Sequence, residues 1–375
     1  MEWNKNGLLP LDWFKQMRSN SPVVQSEGNG IWNVFKYEDV KYVFTNYEIF
    51  SSQGSPSSED PLESSILRQD PPKHRQLRKL VSQAFTPRVI ESLAPKIQSI
   101  ADSLLDEAEQ KGRMDAIADL ASPLPITVIA EMLGVSIEHR ETFKAWSDAL
   151  VGDHPDAYYA CQREMGAYFA DIAEDRRRHP QDDLITKLVQ ARIENEHLTE
   201  MEIIGFCILL LVAGNETTTN LISSAMLAID SLPEVRSQLL EDPGLIPGAI
   251  EETFRYFSPV QLMFRHVKQD TELRGQKLKQ GQFVHIWMAS ANHDEEVFEQ
   301  PERFDIHRNP NPHLGLGSGI HYCLGSQLAR LESKIAVETL LRRFPDFRRD
   351  RSAELVRQES TMMFALKELP IILKS

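Results

Sequence analysis

A chain of 375 residues with 41% hydrophobic and 26% charged side chains can bury a large core, which excludes a disordered or fibrous protein. Its 41 Lys plus Arg stand against 55 Asp plus Glu, a formal charge of −14, so the electrostatic footprint of a nucleic-acid binder is missing and no DNA or RNA partner is expected. Cys161, Cys207 and Cys323 lie far apart without a CxxC pair, which argues against a disulfide framework or a structural zinc site and fits a reducing compartment.

The opening, MEWNKNGLLPLDWF, has neither a basic leader with an apolar core nor a small-residue cleavage site, so no signal peptide is expected. Residues 22–25 and 31–35 are short β-type runs around Glu27-Gly-Asn-Gly30, the pattern of a hairpin that starts a small sheet. Residues 37–46 read as helix, 51–62 as a Ser/Pro-rich loop, and helix then dominates from Pro72 to about residue 256. Within that span, 136–151 and 157–178 form two helices joined by Gly152-Asp-His-Pro155, a pair with the makings of a lid. Thr199-Glu-Met-Glu202 is a capping box, and no proline follows until Pro233, so one helix of ~33 residues and ~50 Å is predicted to cross the core. Its most apolar stretch, 203–214, is short of the ~20 residues that span a bilayer. A soluble, cytoplasmic protein without membrane contact is therefore expected.

After Pro259 the texture changes to strand candidates at 262–267, 271–273 and 283–288, so the β-rich parts are placed near 21–36 and 260–290. Prolines and glycines break up 298–319, and a last helix is predicted from about Leu324 to Phe344. No repeat or linker composition interrupts the chain. The expectation is one mainly α domain with small β-sheets over residues 1–375, with two domains as the alternative.

Four clusters carry chemistry. Cys323 ends a glycine-rich loop at the start of the last helix, where the macrodipole and unpaired N–H groups favour a thiolate; this suits a metal ligand or a nucleophile, and a small buried hydrophobe is the alternative. Ala213-Gly-Asn-Glu-Thr217 is a polar insertion in an apolar helix. Burying Glu216 and Thr217 costs several kcal/mol unless they are bonded or solvated; an acid beside an alcohol can relay protons, Gly214 lets a ligand or a bend approach the backbone, and otherwise the hydroxyls bond back to helix carbonyls. Glu252 and Arg255 share a helix face at i,i+3, and Arg303 completes a structural charge network if the irregular segment folds back. Lys73, His74, Arg75, Arg78, Lys79 and Arg88 form an acid-free basic segment in which His74 and Arg78, at i,i+4, can face an anion. HExxH, GxxxxGK[ST], GxSxG and GxGxxG are all missing.

In this order the clusters resemble the cytochrome P450 family of haem-thiolate monooxygenases in its soluble bacterial form, over nearly the whole chain. The motifs are His74-x-x-x-Arg78, Ala213-Gly-Asn-Glu-Thr217, Glu252-x-x-Arg255, Pro-Glu-Arg303-Phe and Gly317-x-Gly-x-His-x-Cys323-Leu-Gly. The resemblance implies the cytochrome P450 fold, with the long helix over a buried haem b whose iron Cys323 ligates. It implies that His74, Arg78, Arg265 and His321 bind the propionates, that Leu316 and Gly317 belong to the ligand loop, and that Ala213 and Gly214 lie against the cofactor. Glu216 and Thr217 match the pair that passes protons through ordered water during oxygen reduction. Two departures stand out. Leu316 occupies the place where the family usually has Phe, so the shell that tunes the potential and shields the sulfur differs here; Ser326-Gln327 replaces a common Ala-Pro.

By the same resemblance the substrate pocket is lined from 51–67, Leu209, Leu210, Ala213, 260–263 and 362–364, mostly apolar positions that fit a small hydrophobic substrate such as a fatty acid, terpenoid, steroid or polyketide. The other reactants are O2 and electrons from a separate ferredoxin or flavodoxin with its reductase, docking on the 73–88 segment with Arg330, Lys334, Arg342 and Arg343, and a monomer is expected. A peroxygenase, which has no need of Glu216-Thr217, a haem-based sensor, and a haem-free enzyme with Cys323 as nucleophile are the competing readings.

Overall fold

The computed structural model describes residues 7–53, 60–152, 154–193 and 196–373; parts of the expected 51–62 loop and of the 152–155 junction lie outside them. Fourteen α-helices follow in chain order: α1 (Leu11–Asn20), α2 (Tyr37–Thr45), α3 (Lys73–Val81), α4 (Pro87–Ser92), α5 (Ala94–Lys111), α6 (Pro123–Leu133), α7 (Arg140–Val151), α8 (Pro155–Arg178), α9 (Leu184–Gln190), α10 (Glu200–Ser231), α11 (Pro233–Glu241), α12 (Ile246–Tyr256), α13 (Met288–Ala291) and α14 (Ser326–Arg343) among the described residues. The strands are β1 (Val23–Gln25), β2 (Trp32–Val34), β3 (Phe50–Ser51), β4 (Arg113–Asp115), β5 (Arg192–Ile193), β6 (Glu196–His197), β7 (Met263–Val267), β8 (Thr271–Leu273), β9 (Gln276–Leu278), β10 (Phe283–Ile286), β11 (Arg348–Arg349) and β12 (Pro370–Ile372).

The two β-rich stretches meet in one five-stranded sheet of order β1-β2-β10-β7-β3. β1 and β2 form the expected hairpin, and β2 pairs in parallel with β10, about 250 residues later, with Trp32 opposite Val284. The strand expected to reach 288 stops at Ile286: Trp287 still donates its N–H to the Val34 carbonyl of β2, and the chain then turns into α13 at Met288. One core packs under this sheet, around Val34, Val40, Phe50, Val284 and Ile286; a second and larger one fills the helical part.

The capping box forms as predicted. Thr199 accepts from the Glu202 N–H at 3.3 Å, Glu202 accepts from the Thr199 N–H at 2.8 Å, and α10 runs 32 residues from there. This helix is apolar nearly all round because α6, α7, α8, α12 and α14 surround it, the expected fate of a helix without a polar face. Counted over the helix, it is long and apolar enough to cross a membrane, which corrects the estimate from the 203–214 stretch alone; 61% of its most apolar window is buried inside the molecule. Gly205 is needed for the packing: a Cβ there would stand 2.0 Å from the Pro61 carbonyl oxygen of the turn Pro61–Ser64, which lies directly on the helix.

Three further differences have local causes. Residues 137–139 form a 3-10 turn capped by Ser136, so α7 starts at Arg140. α14 starts at Ser326, not Leu324. The strand β4, inside the segment expected to be helical, is fixed by β12 from the far end of the chain, through Met114 opposite Ile371.

Candidate active site

Cys323 lies just ahead of α14, in a turn made by Gly317 and Gly319 at φ values of 73° and 70°, a region that glycine enters without steric cost. At Gly319 a Cβ would also stand 3.1 Å from the Phe44 carbonyl oxygen. The turn is closed by the Cys323 N–H donating to the Leu316 carbonyl at 2.9 Å, while Leu316 itself is buried at 8% exposure. The sulfur accepts from the Gly325 N–H and feels Arg78 and Arg330, which favour the thiolate, but burial outweighs them and raises the thiol above its ordinary value of 9.0. The expected helix-terminus effect is thus present but insufficient by itself. A bound cation is the kind of charge that deprotonates such a thiol outright.

Around this turn the structure gathers basic side chains that have no carboxylate partner among the described residues. His74 of α3 is 2% exposed with neither ring nitrogen bonded, and its ring lies 4.3 Å from that of His321, centroid to centroid. His321 bonds the Gln69 backbone and leaves Nε2 unpaired. Arg265 on β7 is 3% exposed, donates to the Phe264 carbonyl at 2.8 Å, and has no carboxylate within ion-pair distance among the described residues. Arg78 reaches the Ile320 carbonyl at 3.4 Å. Burial, then neighbouring cations, push His74 down to about 4 and His321 to about 3, and burial, with Asp70 opposing and Arg68 adding to it, brings Arg265 to about 10. Two carboxylates placed among these groups would satisfy the unpaired nitrogens and restore the charged forms. The four residues singled out from sequence therefore meet at one place, and their chemistry fits the acid groups of a haem.

On α10 Leu209, Ala213 and Thr217, at i, i+4 and i+8, are partly open together with Val212 and Gly214, whereas Leu210, Leu211, Asn215, Glu216 and Thr218 are buried. Thr217 Oγ1 donates to the Ala213 carbonyl at 2.6 Å. Glu216, at 4% exposure, accepts from Asn215 Nδ2 at 3.1 Å. Thr217 and Glu216 thus bond different partners, the Ala213 carbonyl and the Asn215 amide. A Cβ on Gly214 would stand 2.8 Å from Ile129 Cδ1 of α6, so helix packing is one demand on this glycine. Burial, with Asp148 adding to it and Lys144 opposing, raises Glu216 from 4.5 to about 7. An acid raised on folding contributes stability that is present below its unfolded value and lost as pH climbs through the folded one. Unfolding free energy is expected to fall between about pH 4.5 and about 7, by on the order of 3 kcal/mol from this group, and Glu216→Gln should flatten that slope in urea titrations at several pH values.

Two expectations need correction. Glu252 and Arg255 form a fork of two 2.8 Å bonds at 0% exposure, but the third cation is Arg308, at 3.3 Å from Glu252; the Arg303 side chain is exposed, and only its backbone carbonyl joins, accepting from Arg255 at 2.9 Å. The turn at residues 301–303 presents the carbonyls inward and leaves the Arg303 side chain outside. On the pocket wall, 260–263 and 362–364 do come together, with Val260 bridged to Met363 and the Gln261 N–H donating to Met362. Phe364, however, is fully buried against Phe257 and belongs to the core.

A long buried helix, a glycine-shaped cysteine loop and four basic side chains gathered beside it fit a helical protein that holds an acidic cofactor. Comparison with known proteins is decisive about which. The family model for cytochrome P450 matches residues 11–150 and 136–375. The chain is 43% identical over 373 residues to a putative cytochrome P450, YjiB, of Bacillus subtilis, covering 96% of this chain and 93% of that one. It superposes with a TM-score of 0.96 and 42% identity on the crystal structure of CYP109E1 from Bacillus megaterium in complex with testosterone, over 99% of this chain and 100% of that one. P450BioI, in complex with acyl carrier protein ligated to hexadec-9Z-enoic acid, matches with a TM-score of 0.90 and 36% identity over 99% of each chain. The chain belongs to the cytochrome P450 family; it is a monooxygenase with haem iron as its cofactor.

Proposed function

We propose that Cys323 ligates the haem iron, that His74, Arg78, Arg265 and His321 hold the propionates, and that Leu316 and Gly317 shape the ligand loop. Ala213 and Gly214 form the distal wall, with Glu216 and Thr217 as the proton-handling pair, in one domain over 1–375 that acts as a monomer. The observation that carries this reading is the convergence of four basic side chains, with no carboxylate among the described residues paired to them, on the loop of a half-buried cysteine. When bound, the haem supplies reductive activation of O2 and insertion of one oxygen atom into substrate. The chain's own part is to orient the cofactor, to exclude water with the apolar 260–263 and 362–363 wall, and to move protons. Glu216 can hold a proton near neutral pH, and the Thr217 hydroxyl can both accept and donate one.

The substrate is a small hydrophobic molecule of the fatty-acid, terpenoid, steroid or polyketide type. Testosterone and a C16 acyl chain in the two related structures support that range. Electrons come from a separate ferredoxin or flavodoxin and its reductase. The docking face is narrower than the basic segment suggested, because Lys73 is tied to Glu202, Arg330 to Glu251, and Arg343 to Asp106 and Glu109. With Arg342 held by Asp102, the exposed cations that remain for an acidic partner are Arg75, Lys79, Arg88 and Lys334.

The pair is tested by Thr217→Ala in the holoenzyme, with a steroid or fatty acid that turns over. Haem content and substrate affinity are expected to hold while product per reducing equivalent falls several-fold and peroxide rises. Full coupling would remove Thr217 from the reaction.

A further inference from the structure

Asn215 is the member of the Ala213–Thr217 cluster to which neither the sequence reading nor the proposed function gives a task. It is 0% exposed in the middle of α10, a position where an asparagine is a poor helix former and where an unbonded amide is costly to bury. Both ends of its amide are used. Thr219 Oγ1, one turn further on, donates to Asn215 Oδ1 at 3.3 Å, and Asn215 Nδ2 donates to Glu216 Oε1 at 3.1 Å. Thr219 thereby fixes which way the amide points, and leaves its N–H for the carboxylate.

The geometry of the bond decides what it does. Successive helical residues are about 100° apart, so Asn215 lies about 200° round α10 from Ala213, on the side opposite the open Ala213–Thr217 stripe. A side-chain bond between neighbours at i and i+1 forms only if both turn toward each other. The bond thus draws the Glu216 carboxylate to the back of the helix, away from Thr217. Among the elements packed on α10, α7 brings the charges that act on Glu216: Asp148 and Lys144, themselves paired by two 2.9 Å bonds.

We propose that Asn215 is a positioning residue that parks the Glu216 carboxylate behind α10 and releases it toward Thr217 once it is protonated. An amide N–H binds an ionised carboxylate more strongly than a neutral carboxyl, so taking up a proton from the α7 side weakens the hold, and giving up the proton restores it. No atom beyond that proton moves between groups. The inference rests on the reading of Glu216 as the proton-handling acid.

The test uses haem-loaded protein carrying Asn215→Leu, close in volume but without donor or acceptor, and separately Thr219→Val, which only frees the amide. The readout is the infrared C=O stretch of protonated carboxyl groups against pH, with Glu216 isolated by subtracting the same variant carrying Glu216→Gln. Glu332, buried with Oε1 unpaired and its acidity strongly suppressed by burial, is present in both members of each pair and cancels in the subtraction. The Glu216 midpoint is expected to rise by about one pH unit in Asn215→Leu and by less in Thr219→Val, as loss of a donor to the charged form requires. An unchanged midpoint in both variants overturns the proposal, and if Asn215→Leu does not fold, Thr219→Val decides alone. The underlying reading fails separately, if Glu216→Gln turns over with full coupling at every pH.

Discussion

Cys323→Ser is expected to fold, to retain part of its haem, and to lose the red-shifted band that thiolate ligation gives the reduced carbon monoxide complex. Serine is nearly isosteric, and the bond that closes the loop, from the Cys323 N–H to the Leu316 carbonyl, is made by backbone and survives the change. The four basic residues proposed to hold the propionates are untouched. What disappears is the soft anionic sulfur, the only one on this loop. Cys161 donates its thiol to the Tyr158 carbonyl, and Cys207 is 0% exposed, with burial pushing the acidity of both thiols down. Neither can replace it, because an inert buried thiol supplies no thiolate. A thermal unfolding midpoint within a few degrees of wild type, together with a carbon monoxide band at the shorter wavelength of oxygen- or nitrogen-ligated haem, is the expected pair of results. A band that stays at the long wavelength in Cys323→Ser would move the ligand elsewhere and take the assigned cradle with it.

The contrast between what was legible in sequence and what was not follows the range of the interactions. α10 was legible because its cap and its apolar run are local: Thr199 and Glu202 are three residues apart and bond each other. The meeting of His74, Arg265 and His321 was expected from a resemblance, since positions 74, 265 and 321 carry no local sign that they converge. β4 and β12 were missed because neither three-residue strand has a pattern of its own, and each is defined by the other across some 250 residues. Arg308 was missed for a related reason. Which arginine of an irregular segment points inward depends on turns such as that at residues 301–303, where Arg255 gathers backbone carbonyls, and Arg303 and Arg308 look equivalent until that turn is seen. Glu202 shows how local and distant demands combine: one oxygen completes the cap of α10 while the other pairs with Lys73 of α3, compensating a charge that sequence alone had assigned to a partner.

That arginine network carries the largest expected loss of stability, on replacing Glu252 by Gln. Glu252 and Arg255 are both at 0% exposure, and the carboxylate also accepts from the Asp305 N–H at 2.8 Å and from Asn311 at 3.1 Å, besides Arg308. Removing one partner of a buried pair leaves the other charge uncompensated, which costs about 3–5 kcal/mol. Here the orphaned group is Arg255, whose remaining bonds run to the carbonyls of Asn292, Pro301 and Arg303. Those carbonyls belong to a stretch with little regular structure of its own, so the cation is what shapes the chain between α13 and the cysteine loop. Asn292 in turn accepts from the Leu314 N–H at 2.7 Å, two residues before Leu316. Loss of the pair should therefore reach the ligand loop. Glu252→Gln is expected to lower the urea midpoint sharply and to reduce haem occupancy with it, whereas Arg303→Ala, which removes an exposed side chain and keeps the carbonyl, should stay within about 0.5 kcal/mol of wild type. Arg308→Ala should fall between them, since its guanidinium holds Glu252 from the edge and also donates to the Glu299 carbonyl at 2.9 Å. Equal losses for Arg303→Ala and Arg308→Ala would mean that the third cation of the network has been misassigned, and an unperturbed haem content in Glu252→Gln would separate the charge network from the ligand loop it is argued to support.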